Sequence, residues 1–306
     1  GAIDLKSDEF AHARWSGEEA EHSINFLELK AIFYGFLTLY VNRRDIHIQV
    51  QSDNISAVAY VNDMGGMASR SMDQLSAQLW EWCLDRNIFI SAIYIPGIIN
   101  TADFYSRNFS DSTEWMLKKE IFQRISRHFF HPDIDLFASR YNNQTDYFVS
   151  WFPEPGATAY NAFSIDWGKY RPYMFPPFNL ISKVINKVIK DKVEKAILIF
   201  PFWKSQSWFP LLLENICCFP VRLPRHKDLL QMPQDGKEHP LAKKMKIIAV
   251  VVSGKRCNVK AFHQTLQILS SVPGGEGQGS STCVHGDSGT FGTISGFLVP
   301  LKQLKR

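Results

Sequence analysis

The chain has few cysteines and no pattern among them. Five are scattered over 306 residues (Cys83, Cys217, Cys218, Cys257 and Cys283), and no C-x-x-C pair occurs. That excludes a zinc site of the usual spacing and a disulfide framework. It points to an intracellular, reducing setting, cytoplasm or nucleus. No run of about 18 apolar residues is present, so no membrane span is expected. The N-terminus lacks the basic-then-apolar pattern of a signal peptide. A net charge of +4 is too small to argue for a polyanionic partner by itself. The glycine-rich "GGEGQG" (274–279) lacks the lysine and the preceding strand of a phosphate loop. "GDSG" (286–289) echoes a serine-protease nucleophile loop, but nothing around it suggests that architecture.

What is present is an ordinary globular composition, 45% hydrophobic and 21% charged, with aromatics at 13%. The length suits two domains of roughly 100–200 residues each. Residues 1–108 read as an α/β domain. "GAIDL" and "AHARW" are short strands, and "NFLELKAIFYGFLTLY" is a long apolar helix. "DIHIQV" alternates, with Ile46, Ile48 and Val50 on one face and His47, Gln49 and Gln51 on the other. An amphipathic helix carries Met72, Leu75, Leu79 and Trp82. "IFISAIYI", apolar on both faces, reads as a buried strand ended by Pro96-Gly97. Residues 109–131 read as a helical linker. Residues 132–235 repeat the strand–helix alternation, with "DIDLF" and "AILIFPFW" as strands around the Ile181–Ile189 helix stripe, as expected of an open sheet flanked by helices. Residues 236–306 read as a largely flexible extension with a disordered Gly/Ser-rich tail. Eight of the 18 glycines lie between Ser271 and Gly296.

Three acids are candidates for chemistry. Glu28 lies one turn into the first long helix, Asp53 at the end of the alternating strand, and Asp103 in "NTADFYSR" at a helix start. Each also has a structural use. Asn25 with Glu28, and Asn100 with Asp103, have capping-box spacing, and Asp53 could cap the helix after it. Taken together, they are what phosphodiester hydrolysis requires. A carboxylate cluster can hold two Mg²⁺ ions about 3.5–4 Å apart, one activating water and the other stabilising the leaving oxygen.

The stretches "RWSGEEAEHSINFLELKAIFYGF", "QSDNISAVAYVNDMGG" and "LWEWCLDRNIFISAIYIPGIINTADFYSR" make residues 1–108 resemble the ribonuclease H domain of DIRS-type, tyrosine-recombinase-encoding retrotransposons. The family orders its metal-binding acids Asp, Glu, Asp, Asp. Glu28, Asp53 and Asp103 match the second, third and fourth. The match sets Gly1-Ala2 inside the family's second strand, so the first strand and its aspartate have no counterpart. Asp4 and Asp8 lie on the wrong side of the match. The resemblance implies an N-terminally truncated ribonuclease H-like domain with two Mg²⁺ ions. It also implies an RNA–DNA hybrid or DNA as partner and an upstream reverse transcriptase region in the same polyprotein. Cleavage is expected to be impaired by the missing aspartate.

"DIDLFASRYNNQTDYFVSWFPEPG", "SIDW" and "MFPPFN" make the second domain resemble the phage Dam-like DNA adenine methyltransferases that follow ribonuclease H in these elements. The resemblance implies a Rossmann-like methyltransferase-type fold and S-adenosylmethionine as cofactor. Asp135 would lie near its methionine part and Asp166 near its adenosine. Pro176, Pro177 and Phe178 match the last three positions of the Asn/Asp-Pro-Pro-aromatic catalytic loop. Phe175 stands where that loop needs an amide or carboxylate to accept from the flipped base's amine, and no glycine-rich cofactor loop occurs in "DLFASRYNN". Three functions are therefore in play: a ribonuclease H-type endonuclease, a non-enzymatic element remnant that at most binds nucleic acid, and a DNA adenine methyltransferase.

Overall fold

The structure, a computed structural model, describes residues 1–12, 14–66, 69–103, 115–226, 229–232, 238, 244–270, 289–294 and 297–304. The chain is mixed α/β and divides into two compact units, Gly1–Asp111 with Phe152–Tyr160, and Ser112–Trp151 with Asn161–Arg306.

The first unit opens with an antiparallel hairpin, β1 (Ala2–Asp4) and β2 (Glu9–Ala11). A short helix, α1 (Gly17–Ala20), precedes the long α2 (Ile24–Leu39). β1 runs tightly against α2. A Cβ on Gly35 would stand 3.0 Å from the Ala2 Cβ, so the helix needs its glycine there. β3 (Ile46–Ser52) and β4 (Ile88–Tyr94) pair in parallel over seven residues, from Ile46 opposite Ile88 to Ser52 opposite Tyr94. Parallel strands need a long crossover. Here it is helical: α3 (Ile55–Asn62) and α4 (Arg70–Leu84). Leu29, Phe36, Ala57, Val61, Leu79, Cys83, Ile88 and Ile90 form the core.

β3 keeps the alternation expected of it, with His47, Gln49 and Gln51 exposed. β4 does not fit the expectation of a strand buried on both faces. Ile88, Ile90 and Ala92 are inside, whereas Phe89 is 58% exposed and Ile93 39% exposed. The reason is layering: the core cluster that takes Ile88, Ile90 and Ala92 lies on one face of the pair, and Phe89 lies beside the exposed His47.

In the second unit, a helix α5 (Lys119–His128) leads to β5 (Ile134–Asp135) and β6 (Pro172–Met174). Next come α6 (Ile181–Lys190), β7 (Ala196–Pro201), α7 (Phe209–Asn215) and β8 (Val221–Arg222). β9 (Ile247–Val252), α8 (Arg256–Ser270) and β10 (Lys302–Gln303) follow. Six strands form one sheet in the order β10-β8-β9-β7-β6-β5. β5, β6 and β7 run parallel, while β9 is antiparallel to both its neighbours, so the sheet is mixed. Every residue of β7 and β9 is buried.

Two expected boundaries are corrected. Residues 119–128 are not a linker. Ile121, Phe122 and Ile125 of α5 belong to the second unit's core, because its apolar residues repeat at i, i+1 and i+4 on one face. Residues 247–252 are not part of a flexible extension. The run "IIAVVV" is β9, paired over six residues with β7, and burying six apolar side chains outweighs the polar composition around it. The glycine-rich stretch 271–288 lies outside the described residues.

Candidate functional site

The parallel pairing of β3 and β4 brings both strands' carboxyl ends to one edge. The Ile95 N–H donates to the Ser52 carbonyl at 3.0 Å, which carries the register past the strand ends. Asp53 follows β3 directly. After β4, a 3-10 turn (Gly97–Ile99) leads to Asn100 and to the helical turn that carries Asp103. Glu28 lies on α2.

None of the alternatives from local sequence explains Glu28 or Asp53. The N-cap of α2 is Ser23, whose hydroxyl accepts from the Phe26 N–H. Glu28 is therefore the fifth residue of the helix, not the third, and has no capping function. The N-cap of α3 is Asn54, whose Oδ1 accepts from the Ala57 N–H, so Asp53 stands outside the cap. At Asp103 the spacing does act locally. Asn100 Oδ1 accepts from the Ala102 N–H, and the Asn100 carbonyl accepts from the Asp103 N–H.

The three carboxylates share one electrostatic environment. Burial, then the charge of Asp53 and, more weakly, that of Asp103 push the Glu28 carboxyl above its usual range, and the Gly1 ammonium offsets part of this. Like charges nearby disfavour the ionised form of Glu28. The donor chemistry, a set of carboxylates, fits a hard divalent cation. As the side chains stand, however, no group of three or more His, Cys, Asp or Glu among the described residues is arranged to hold a metal ion.

The second unit treats its acids differently. Asp135 ends β5, is 2% exposed, and accepts from the backbone N–H of Gln144 at 3.1 Å and of Phe137 at 3.4 Å. Burial pushes its carboxyl up to about 7, against the pull of those two amides. Tyr173, across the ladder on β6, is also buried, and its hydroxyl has no hydrogen-bond partner. Burial, and then the charge of Asp135, drives that phenol well above its ordinary range. Pro176, Pro177 and Phe178 follow β6, next to the strand end that carries Asp135. Pro176 is buried and Pro177 exposed. Phe175 and Phe178 pack against the core. Asp166 lies elsewhere, on the segment entering β6. It caps a 3-10 turn, its Oδ1 accepting from the Gly168 N–H at 2.9 Å.

The residues expected to hold S-adenosylmethionine do not fit that group. Asp135 is shut away from solvent with both oxygens engaged by backbone amides, and Asp166 is a turn cap.

No family model matches the chain, and no curated protein matches it either. Among the described residues, no helix is long and apolar enough to cross a membrane.

Proposed function

We propose that the first unit is a ribonuclease H-like nuclease module from a DIRS-type retroelement polyprotein, acting on the RNA strand of an RNA–DNA hybrid. One observation carries the reading. Glu28 lies on a helix, Asp53 at a strand end and Asp103 in the loop beyond the neighbouring strand, and the charges of the two aspartates both push the Glu28 carboxyl up. Glu28 and Asp53 have no local structural task there. Such a cluster raises the cost of folding unless a cation or a proton relieves it.

In this reading the three carboxylates would hold Mg²⁺. The bound metal would supply an activated water and stabilisation of the leaving oxygen. The residues themselves supply negative charge, with the Asp53 carboxylate held by the Asn100 side-chain amide. That no group of acids among the described residues is arranged to hold a metal fits an activity that is low in this chain and higher when an added strand supplies the family's first aspartate, as the family resemblance implies. The upstream reverse transcriptase region of the polyprotein is the proposed source.

A second reading is favoured by the same observation: a remnant that binds nucleic acid without cleaving it. One experiment separates the two. An RNA–DNA hybrid is incubated with Mg²⁺ and the chain, with and without an added aspartate-bearing strand. Cleavage that rises by orders of magnitude with the added strand and is abolished by Asp53→Asn supports the nuclease. Hybrid binding without cleavage in both forms supports the remnant.

For the second unit we propose a Rossmann-like, methyltransferase-type layer without methyl-transfer activity. Its acids serve the fold, and Phe175 offers no acceptor to an adenine amine. Calorimetric titration with S-adenosylmethionine is expected to show weak or no binding. Tight binding together with methylation of DNA would overturn this.

A further inference from the structure

The acid-bearing segments of the first unit are joined by two asparagines, each with its amide divided between two tasks. Asn100 Nδ2 donates to Asp53 Oδ1 at 3.2 Å, across 47 residues of sequence. Its Oδ1 accepts from the Ala102 N–H at 3.2 Å, its carbonyl accepts from the Asp103 N–H at 3.1 Å, and its own N–H donates to the Gly97 carbonyl. The amide orientation is fixed, because only oxygen can accept from the Ala102 N–H. A rotation that freed Asp53 would break the cap of the Asp103 turn. Asn54 repeats the device on the other side. Its Oδ1 caps α3 at the Ala57 N–H, and its Nδ2 donates at 2.9 Å to Asn25 Oδ1 on α2, the helix of Glu28. The Asp53 carboxylate is also held from behind. A Cβ on Gly97 would stand 2.8 Å from Asp53 Oδ2, so the loop after β4 runs directly along it.

We propose that Asn54 and Asn100 are positioning residues that set the spacing of Glu28, Asp53 and Asp103. Neither supplies charge. Each converts a helix cap into a cross-link, so that three segments distant in sequence hold their carboxylates together. The inference deepens the nuclease reading and takes from it only the idea that the three acids act as one site.

The test separates the two. Asn100→Ser and Asn54→Ser keep a capping oxygen and lose the cross-linking donor, without adding charge. Asn100→Asp keeps the cap, loses the donor and adds a like charge. The readouts are titration of the Glu28 carboxyl by NMR in the full chain and hybrid cleavage with Mg²⁺, with the thermal midpoint as a check on folding. In both serine variants the acids separate, so Glu28 should titrate at lower pH than in the unaltered chain. In Asn100→Asp it should titrate at higher pH. Where cleavage is measurable, each variant should lose roughly 10–100-fold in kcat, with KM for the hybrid little changed, as expected when a reacting group is misplaced. Opposite shifts of Glu28 with no cleavage by any form, even with the aspartate-bearing strand added, uphold the positioning and refute the nuclease reading. Glu28 titrating identically in all variants overturns the proposal, whether or not the chain cleaves. A serine variant that fails to fold is replaced by aspartate at the same position, where Glu28 should titrate at higher pH than in the unaltered chain. The opposite signs expected for serine and aspartate are what a merely stabilising role could not give.

Discussion

Asp53 and Asp135 occupy similar places in their two units: each stands at the carboxyl end of a parallel strand. Asp53 is exposed, accepts a side-chain amide, and lies among like charges. Asp135 is buried, accepts two backbone amides, and has a buried tyrosine as its ionisable neighbour. A strand-end aspartate is thus not itself a site. The edge of the two-stranded parallel pair sets Asp53 under a side-chain amide among other acids, whereas the six-stranded sheet turns Asp135 onto the backbone.

The sharpest way to break this comparison is to neutralise one acid in each unit. If the nuclease reading holds, Asp53→Asn should reduce hybrid cleavage by at least about 100-fold, the scale of losing one metal ligand or one strong electrostatic stabiliser. The same neutralisation should bring the titration of Glu28 down towards the ordinary carboxylate range, because it removes the larger of the two like charges acting on it. Asp135→Asn should leave cleavage unchanged. An unchanged rate for Asp53→Asn, in a chain that cleaves, would remove the distinction between the units.

The next test concerns what the second unit rests on. Ile248→Ala in β9 removes a fully buried side chain from the strand between β7 and β8. It should cost about 2–5 kcal/mol, as large-to-small changes in packed cores do. The loss should be visible as faster hydrogen exchange at the β7 amides opposite. A cost below about 0.5 kcal/mol, the level of an ordinary surface change, would return these residues to the status of an extension.

β9 also shows how much the sequence discloses. Its six apolar residues are a strand signal of the same kind as "AILIFP", which does form β7. The glycine-rich composition farther along masks it, because the mean composition of a long segment hides an element much shorter than the segment. β6 is harder to see. It has three residues, begins with Pro172, and is a strand only because β5 and β7 flank it. The start of α2 is ambiguous for a different reason. "SINF" offers two residues of good capping type, and Ser23 is used rather than Asn25. Glu28, Asp53 and Asp103 can be picked out from their elements, and the turn-capping use of Asp166 from its place before "WGK". The links made by Asn54 and Asn100 cannot, since they join residues 29 and 47 positions apart.

A smaller effect sharpens the contrast through pH. The folded Asp135 carboxyl titrates near 7, above its unfolded value. The folded state therefore holds the proton that the unfolded chain releases first. Stability from this group is fully present below about pH 4 and declines as pH rises towards 7, by roughly 1–4 kcal/mol in all. Glu28 acts in the same direction in the first unit, and a divalent cation should relieve that cost there. Hydrogen exchange of β7 amides for the second unit and of β3 amides for the first, at several pH values with and without Mg²⁺, tests both. The decline in the second unit should be indifferent to Mg²⁺, and a decline that Mg²⁺ abolished would place a cation at Asp135.

The smallest effect comes from an acid of the second unit with the opposite sign. Asp191 ends α6 and receives Lys187 at 2.7 Å and the Trp167 N–H at 3.0 Å. Burial pushes its carboxyl up, but the Lys187 hydrogen bond, the Trp167 amide and the charges of Lys187 and Lys190 outweigh that and hold it below the usual range. Its contribution is therefore present above the unfolded value and is lost as pH falls through the lower folded one. Asp191→Asn keeps an oxygen for the Trp167 amide and loses only the ion pair, so it should cost about 1 kcal/mol at neutral pH. The deficit should shrink on acidification below about pH 4, whereas the Asp135 contribution grows above that, as pH falls from 7 to about 4. Two aspartates in one unit would then move stability in opposite directions in adjacent pH windows. A deficit for Asp191→Asn that stays constant down to pH 2 would show that the carboxylate charge, and with it the Lys187 ion pair, does not account for the loss.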